Sequence, residues 1–433
     1  MQAQRRVFYG WYVVAVSFLT MGISVGLWYG YSVFFVALIK EFGQSRGVTA
    51  GAGAFNAVVA MAVMPFIGRL FDRLGSRRML PAGAGVLALA LLLSSAAGSI
   101  WQFYLTYGVL GGIGFIALGF VPHTALISNW FHRKVGLALG VAFSGVGVGT
   151  ATVVPLCQYL IDLWGWRTTM AILGGVILLV LAPLTALVQV PRPEDLGLQP
   201  DGQAPATALE RGAPAQPQAH AASSRAPAAW TLQRAVGEPR FWSLFVVLVG
   251  GGYALQAVQT HHVALLTDVG IPALKAALLF SVLSISRMAG QLFWGALSDR
   301  LDRTTAYSFS SLSFILGIVL LMFVRTPPSL ALIYGYAILF GFGSGALSSI
   351  PSAMSADLFR GGHFGLIFGV LDTGFQLGTG AGSWVSGLLF DAFQNYQLAL
   401  GLAACGVLVS CLSGWIVTLP RRWARSPSQE EAA

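Results

Sequence analysis

Twelve long apolar runs dominate the chain, at roughly 9–38, 49–70, 79–99, 102–129, 135–162, 168–190, 241–268, 273–297, 304–324, 329–356, 362–389 and 397–419. About 20 consecutive apolar residues form a helix that crosses the hydrocarbon core of a bilayer. Inside that core only closed barrels and helices satisfy their own backbone polar groups. Runs of this length therefore predict an all-α integral membrane protein. Pro65, Pro122, Pro155, Pro183 and Pro351 lie inside the runs without ending them, because neighbouring helices can satisfy the freed backbone groups. Composition agrees: 56% of the 433 residues are apolar and 9% are charged, against about 25% charged in soluble domains. The 53 glycines suit close helix packing in lipid.

The net charge of +9 does not point to nucleic acid, because the basic residues sit at the ends of the apolar runs, where they orient a membrane protein. With the N-terminus in the cytoplasm, nineteen of the 25 Lys and Arg fall inside and five (Lys40, Arg46, Arg167, Lys275, Arg325) fall outside, leaving Arg287 within span 8. This bias places both termini in the cytoplasm of a multi-pass protein of the cell (inner) membrane. Arg5 and Arg6 resemble a twin-arginine export signal, but the apolar run after them is too long for a signal core, so they read as cytoplasmic anchors. Residues 203–229 are mostly Ala, Pro, Gln and Ser, a composition that cannot build a core. The chain thus divides into a six-span bundle (1–190), a flexible cytoplasmic linker (191–239), a second six-span bundle (240–420) and a cytoplasmic tail (421–433).

Cys157, Cys405 and Cys411 all lie in apolar runs without metal-ligand spacing, and read as small apolar fillers. Gly145-Val-Gly-Val-Gly149 lacks the preceding strand that a dinucleotide loop needs. Nothing in the sequence calls for a metal, a cofactor or a catalytic triad.

The two halves repeat. Gly68-Arg-Leu-Phe-Asp72-Arg73-Leu-Gly-Ser-Arg77-Arg78 follows span 2, and Gly295-Ala-Leu-Ser-Asp299-Arg300 follows span 8 at an offset of 227. At an offset of 229, Gly114, Pro122, Gly136, Gly140, Gly145 and Gly149 align with Gly343, Pro351, Gly365, Gly369, Gly374 and Gly378. Repeats of this kind are the mark of a transporter built from two related bundles with a site between them.

These motifs resemble the major facilitator superfamily, whose signature loop is G-x-x-x-D-R-x-G-x-R-R; Gly165-Trp166-Arg167 after span 5 is similar to its pattern too. Three further stretches resemble the monocarboxylate transporter and oxalate/formate antiporter branch: Tyr9-Gly10-Trp11-Tyr12, Trp130-Phe131-His132-Arg133-Lys134-x-Gly136-Leu137-Ala138, and Arg192-Pro193-Glu194-Asp195-Leu196-Gly197. The resemblance implies two six-helix bundles related by a pseudo-twofold axis. It also implies that Gly68, Asp72, Arg73, Arg77, Arg78, Gly295, Asp299 and Arg300 form a conformational latch holding the cytoplasmic side closed. The competing reading is that these charges only set topology.

A charge at mid-bilayer costs about 2.5–3.5 kcal/mol on insertion scales and asks for a partner or a function. Arg287 in span 8 and Asp372 in span 11 are such charges, and Gln291 and Gln376, four residues on from each, share their faces. In the resembled branch a cation on span 8 holds the substrate carboxylate. Its usual place corresponds to Gln291, one turn beyond Arg287, and the lysine that oxalate carriers have on span 11 is here replaced by Asp372. That departure argues against a dianion clamp and leaves a monoanion, a zwitterion or a neutral solute open. Asp372 reads as the resting counter-charge of Arg287 or as a proton carrier, with a fixed structural ion pair as the alternative. His123, Gln256, Gln259 and His261, with Thr260 and His262 beside them, are further polar groups in spans that line the cavity of the superfamily. Histidine can relay protons, though near span ends it is as often merely hydrogen-bonded. Tyr29, with Trp28 and Tyr31, reads as cavity wall or aromatic belt.

The reading that follows is a monomeric secondary transporter, working by alternating access on a small organic anion such as a monocarboxylate, with a proton as candidate co-substrate and the lipid bilayer as surroundings. A drug or metabolite exporter of the same fold is the first alternative, because span 5 is glycine-rich. A membrane-bound sensor or enzyme is the second, and the short low-complexity segments 191–240 and 420–433 leave no room for its soluble domain.

Overall fold

The computed structural model describes residues 8–131, 135–202, 230–359 and 364–418, and among these every regular element is helical. Arg5, Arg6, the His132-Arg133-Lys134 part of the second branch-like stretch, the linker 203–229 and the tail beyond residue 418 lie outside the described residues.

The first four spans become α1 (Gly10–Phe42), α2 (Arg46–Leu74), α3 (Ser76–Ser95) and α4 (Ile100–Trp130). A single helical stretch, Leu137–Val188, is 52 residues long, about 78 Å at 1.5 Å per residue and far more than one crossing. It breaks at Gly165, whose φ of 78° only glycine adopts without strain, giving α5 (135–164) and α6 (166–188). The second half supplies α7 (Pro239–Asp268), α8 (Ala273–Arg300), α9 (Arg303–Met322), α10 (Leu330–Phe359), α11 (Phe364–Phe393) and α12 (Gln397–Thr418). Among the described residues ten helical segments are long and apolar enough to cross a membrane; dividing the stretch at Gly165 and adding the 30-residue α11 accounts for the twelve runs.

Some boundaries move. The Gly68–Leu74 part of the signature motif continues α2, and the turn is confined to Gly75 at φ 69°, so Arg77 and Arg78 open α3. Local capping explains several starts. The Ser45 hydroxyl accepts from the Val48 N–H, and the Asp302 carboxylate accepts from Thr305 at 2.8 Å. The Thr305 hydroxyl and N–H, with other hydrogen bonds, hold that carboxyl below its ordinary range. The middle of α4 widens to π-helix over Tyr104–Gly111. The Pro193–Leu196 turn closes on Gly197 at φ 68°, so the linker's first residues are ordered.

The repeat is visible in the packing. A Cβ on Gly145 or Gly149 of α5 would overlap the carbonyls of Phe18 and Gly22 on α1. In the second half a Cβ on Gly374 or Gly378 of α11 would strike Phe245 and the Val249 carbonyl on α7. The same pair of glycines thus brings the fifth helix of each half against the first, which explains the glycine-rich span 5 as backbone contact. Gly149→Leu is expected to push α1 and α5 apart, destabilising the protein by about 1–3 kcal/mol. A lowered thermal midpoint in detergent, with little change for a leucine at Gly140, where a Cβ meets nothing, is the measurement.

Two of the branch-like stretches meet at the terminal end of the N-terminal half. The Tyr9 and Trp130 rings lie 5.4 Å apart, and those of Trp11 and Phe131 lie 5.1 Å apart. The Trp130 indole N–H donates to the Val190 carbonyl at 2.8 Å.

Candidate functional site

The halves meet through α1 with α7, α2 with α11 and α5 with α8. Arg287 lies on this seam. It is the fifteenth residue of the 28-residue α8, which places it mid-helix, about 21 Å from the Ala273 end. Its guanidinium donates to the Tyr29 hydroxyl at 3.0 Å and stands 5.8 Å from the Tyr29 ring centroid. Tyr29 belongs to α1, so this contact crosses between the halves, and the sequence had offered both residues.

Asp372 is not joined to Arg287. Among the described residues the ion pairs are Arg46–Asp268, Arg167–Glu41 and Arg303–Asp357. Arg46 meets both Asp268 near the start of α8 and Asp391 near the end of α11; counted inward from that end at 1.5 Å per residue, Asp372 comes about 10 Å deeper than Arg287. The counter-charge and fixed-pair readings therefore do not describe this conformation. Gln291 is exposed, Gln376 and Asp372 are partly exposed.

The histidines are buried and satisfied. His261 donates from Nε2 to the Ser383 carbonyl at 3.0 Å, and its Nδ1 lies 3.1 Å from the Tyr396 hydroxyl. His262 uses the Ala276 carbonyl at 2.9 Å and the Tyr336 hydroxyl at 2.8 Å. His123 donates from Nδ1 to the Gly119 carbonyl at 2.9 Å and meets the Gln189 amide with Nε2. A carbonyl can only accept, so each ring has a defined protonated nitrogen, and its other nitrogen is also occupied. None stands free to carry a proton in this conformation. Gln259 is 2% exposed and its amide oxygen makes no hydrogen bond. Gln256 donates to the Thr260 hydroxyl at 3.0 Å.

Of the latch, Arg73, Arg77, Arg78 and Arg300 are exposed, and the side chains of Asp72 and Asp299 lie outside the described residues. Gly68 stays within α2 and Gly295 within α8.

The strongest polar contact between the halves was not expected. Arg46, the first residue of α2, clamps Asp268 at the end of α7 through both terminal nitrogens, at 2.7 and 2.8 Å. It also donates to the Tyr396 hydroxyl at 2.6 Å and lies 3.8 Å over the Phe390 ring. The Asp391 carboxylate at the end of α11 accepts from the Arg46 and Gly47 backbone N–H groups at 2.8 and 2.7 Å. One half thus caps a helix N-terminus of the other, where negative charge is favoured. Burial pushes the Tyr396 phenol above its ordinary value. It stays protonated, accepting from Arg46 and donating to His261 Nδ1. Farther in, the Ser383 hydroxyl donates to the Ala50 carbonyl and the Ser281 hydroxyl to the Ala151 carbonyl. The end of the molecule carrying the α1–α2, α7–α8 and α11–α12 turns is therefore sealed. The one sequence signal was acidic residues at two span ends on the side that carries few basic ones, and it does not say which partner they meet.

With this geometry in hand, comparison with known proteins gives a consistent picture. The sequence pattern of the Major Facilitator Superfamily matches residues 17–286 and 262–433. Monocarboxylate transporter 13 of Rattus norvegicus is 28% identical over 415 residues, covering 95% of this chain and 89% of that protein. Monocarboxylate transporter 11 of Mus musculus is 32% identical over 295 residues, covering 67% of this chain and 60% of that one. Among solved structures, a bacterial homologue of the human lysosomal transporter Spinster, inward-facing and occupied, superposes with a TM-score of 0.71 at 15% identity over 96% of this chain and 99% of its own.

Proposed function

The chain belongs to the Major Facilitator Superfamily and is a multi-pass membrane transporter; from that premise we propose that it carries a small organic anion, a monocarboxylate, by alternating access. The observation behind this reading is Arg287. A guanidinium at mid-helix, whose described partner is a neutral phenol, holds an uncompensated charge where charge is expensive. Its planar fork fits a carboxylate with two hydrogen bonds and keeps its proton when desolvated. A single cation suits a single carboxylate. The relatives named monocarboxylate transporters support the same class.

The Lys and Arg bias puts both termini in the cytoplasm. The sealed Arg46 end then faces outside, and the described conformation is closed on that side. Asp372, about 10 Å from Arg287 along the bundle axis and partly exposed, is the group we assign to proton coupling.

Reconstituted protein is expected to take up labelled lactate or pyruvate saturably, with competition from other monocarboxylates and acceleration by an inward proton gradient. Asp372→Asn is expected to lose gradient-driven accumulation while retaining exchange of labelled for unlabelled substrate. Efflux of cationic dyes with no carboxylate flux would overturn the substrate assignment. Unchanged accumulation in Asp372→Asn would overturn the proton assignment.

A further inference from the structure

The internal repeat extends into the turns at the sealed end. Gly43 and Gly270, the glycines that follow α1 and α7, both have positive φ, 59° and 91°, and stand 227 positions apart. Gly165, at the α5–α6 break, has φ 78°, and Gln394, in the α11–α12 turn, has φ 55°; they stand 229 positions apart. A positive φ is uncommon in a residue other than glycine, so Gln394 marks the equivalent turn by its conformation. These are the two offsets of the sequence repeat. In this register Glu41, at the end of α1, corresponds to Asp268, at the end of α7. Arg167, at the start of α6, corresponds to Tyr396, just before α12.

The first half closes this contact on itself. Arg167 donates to the Glu41 carboxylate and, at 2.9 Å, to the Ala97 carbonyl. Its guanidinium lies 4.3 Å from the Trp166 ring centroid. The second half keeps the carboxylate and the aromatic surroundings but has a phenol where the arginine would be. There the cation comes from the other half. One terminal nitrogen of Arg46 bonds both the Asp268 carboxylate and the Tyr396 hydroxyl, at 2.7 and 2.6 Å, and the Phe390 ring lies 3.8 Å from the guanidinium. Carboxylate, guanidinium and aromatic ring recur at both places, with the arginine drawn across the seam at the second.

We propose that Arg46 serves as the arginine the second half lacks, so that a contact which braces the first half permanently is converted in the second into a catch that holds the molecule sealed. The source of the cation decides which state is favoured. A pair held within one half is present whether this end is sealed or open, and an interaction equal in both states shifts nothing. A pair made across the seam exists in the sealed state and breaks when the end opens, so it favours sealing by its whole strength. The end of α7 and the α11–α12 turn form the lip that Arg46 releases, while the end of α1 and the start of α6 stay joined through the cycle.

Tyr396→Arg tests this by giving the second half its own cation. The Tyr396 hydroxyl already touches the nitrogen that holds Asp268, so an arginine there, of similar length, can pair with Asp268 as Arg167 does with Glu41. Spin labels on cysteines replacing Gln44 and Gln397, both exposed, in full-length protein lacking Cys157, Cys405 and Cys411, read opening as a longer distance. Tyr396→Arg is expected to raise the long-distance population relative to the short one by about tenfold or more, although Arg46 and Asp268 are both still present. Tyr396→Phe, which loses only the hydroxyl, is expected to raise it less. Stability should move the other way. Arg46→Ala combined with Tyr396→Arg is expected to melt above Arg46→Ala alone, to stay open, and to lose that gain when Asp268→Asn is added. Arg167→Ala is expected to lower the thermal midpoint without opening the sealed end. Distances in Tyr396→Arg no longer than those in Tyr396→Phe, or a double variant no more stable than Arg46→Ala, would overturn the proposal. If Tyr396→Arg does not fold, the two arginines decide it: opening by Arg46→Ala and not by Arg167→Ala supports the catch, and opening by both, by neither or by Arg167→Ala alone overturns it.

Discussion

Arg287→Ala is expected to lower carboxylate uptake by two to three orders of magnitude, while the protein reaches the membrane folded. The loss follows from removing one partner of a desolvated charge pair, worth about 2–5 kcal/mol, at the step where substrate is bound. Folding should be spared because the guanidinium is only partly buried and its described polar contact is one hydrogen bond to the neutral Tyr29 hydroxyl, so its removal leaves no buried charge unpaired. Arg287→Lys is expected to recover only part of the activity, since an ammonium keeps the charge but not the fork. Tyr29→Phe is expected to leave carboxylate transport largely intact, because substrate replaces that contact. Uptake in proteoliposomes, set beside the thermal midpoint of each variant, separates a binding defect from a folding one. Wild-type transport by Arg287→Ala would remove this residue from the mechanism.

What the sequence carried was mostly local. Apolar runs fix spans because the bilayer imposes a length, and the offset of 229 between Gly145 and Gly374, or Gly149 and Gly378, foretold equivalent helix contacts because only a missing side chain lets two backbones approach. Arg287 was conspicuous because a charge inside an apolar run is expensive anywhere. Other features depend on partners far away in the chain. Arg46 meets Asp268 across 222 positions and Asp391 across 345, and counted alone it was one more basic residue outside the membrane. His261 and His262 looked available for protons until Tyr396 and Tyr336 were found against them. Whether Asp372 pairs with Arg287 was not legible for the same reason, since two charges on one bundle say nothing of relative depth.

Arg46→Ala is expected to unseal the closed end of the molecule. That substitution removes a bidentate pair with Asp268, a hydrogen bond to Tyr396 and a cation–π contact with Phe390 at once. The pair is partly shielded, with side-chain exposures of 17% and 38%, so it is worth more than the 0–1 kcal/mol of an open surface pair and less than a fully buried one. Together with the lost hydrogen bond the change is about 2–3 kcal/mol, equivalent to a shift of about 30- to 140-fold between the sealed and unsealed states. Asp391→Ala is expected to act in the same direction by uncapping α2, since two charge-assisted hydrogen bonds to its first N–H groups are lost. A single cysteine in place of Ala57, which packs against Gly380 across the seam, reports the opening in a background lacking Cys157, Cys405 and Cys411. Membrane-impermeant maleimide added outside should label it slowly in the parent and much faster in either variant. The exchanged pair Arg46→Asp with Asp268→Arg should slow labelling again relative to Arg46→Asp alone, although Tyr396 and Phe390 then face the wrong side chain and recovery is partial. Labelling that is equally slow in all of them would mean that the seal rests on the α2–α11 backbone contacts and not on the charges. Because transport needs this end to open in each cycle, a seal weakened by a hundredfold should also change the balance of uptake and release, raising exchange if opening limits the parent and lowering it if closure does.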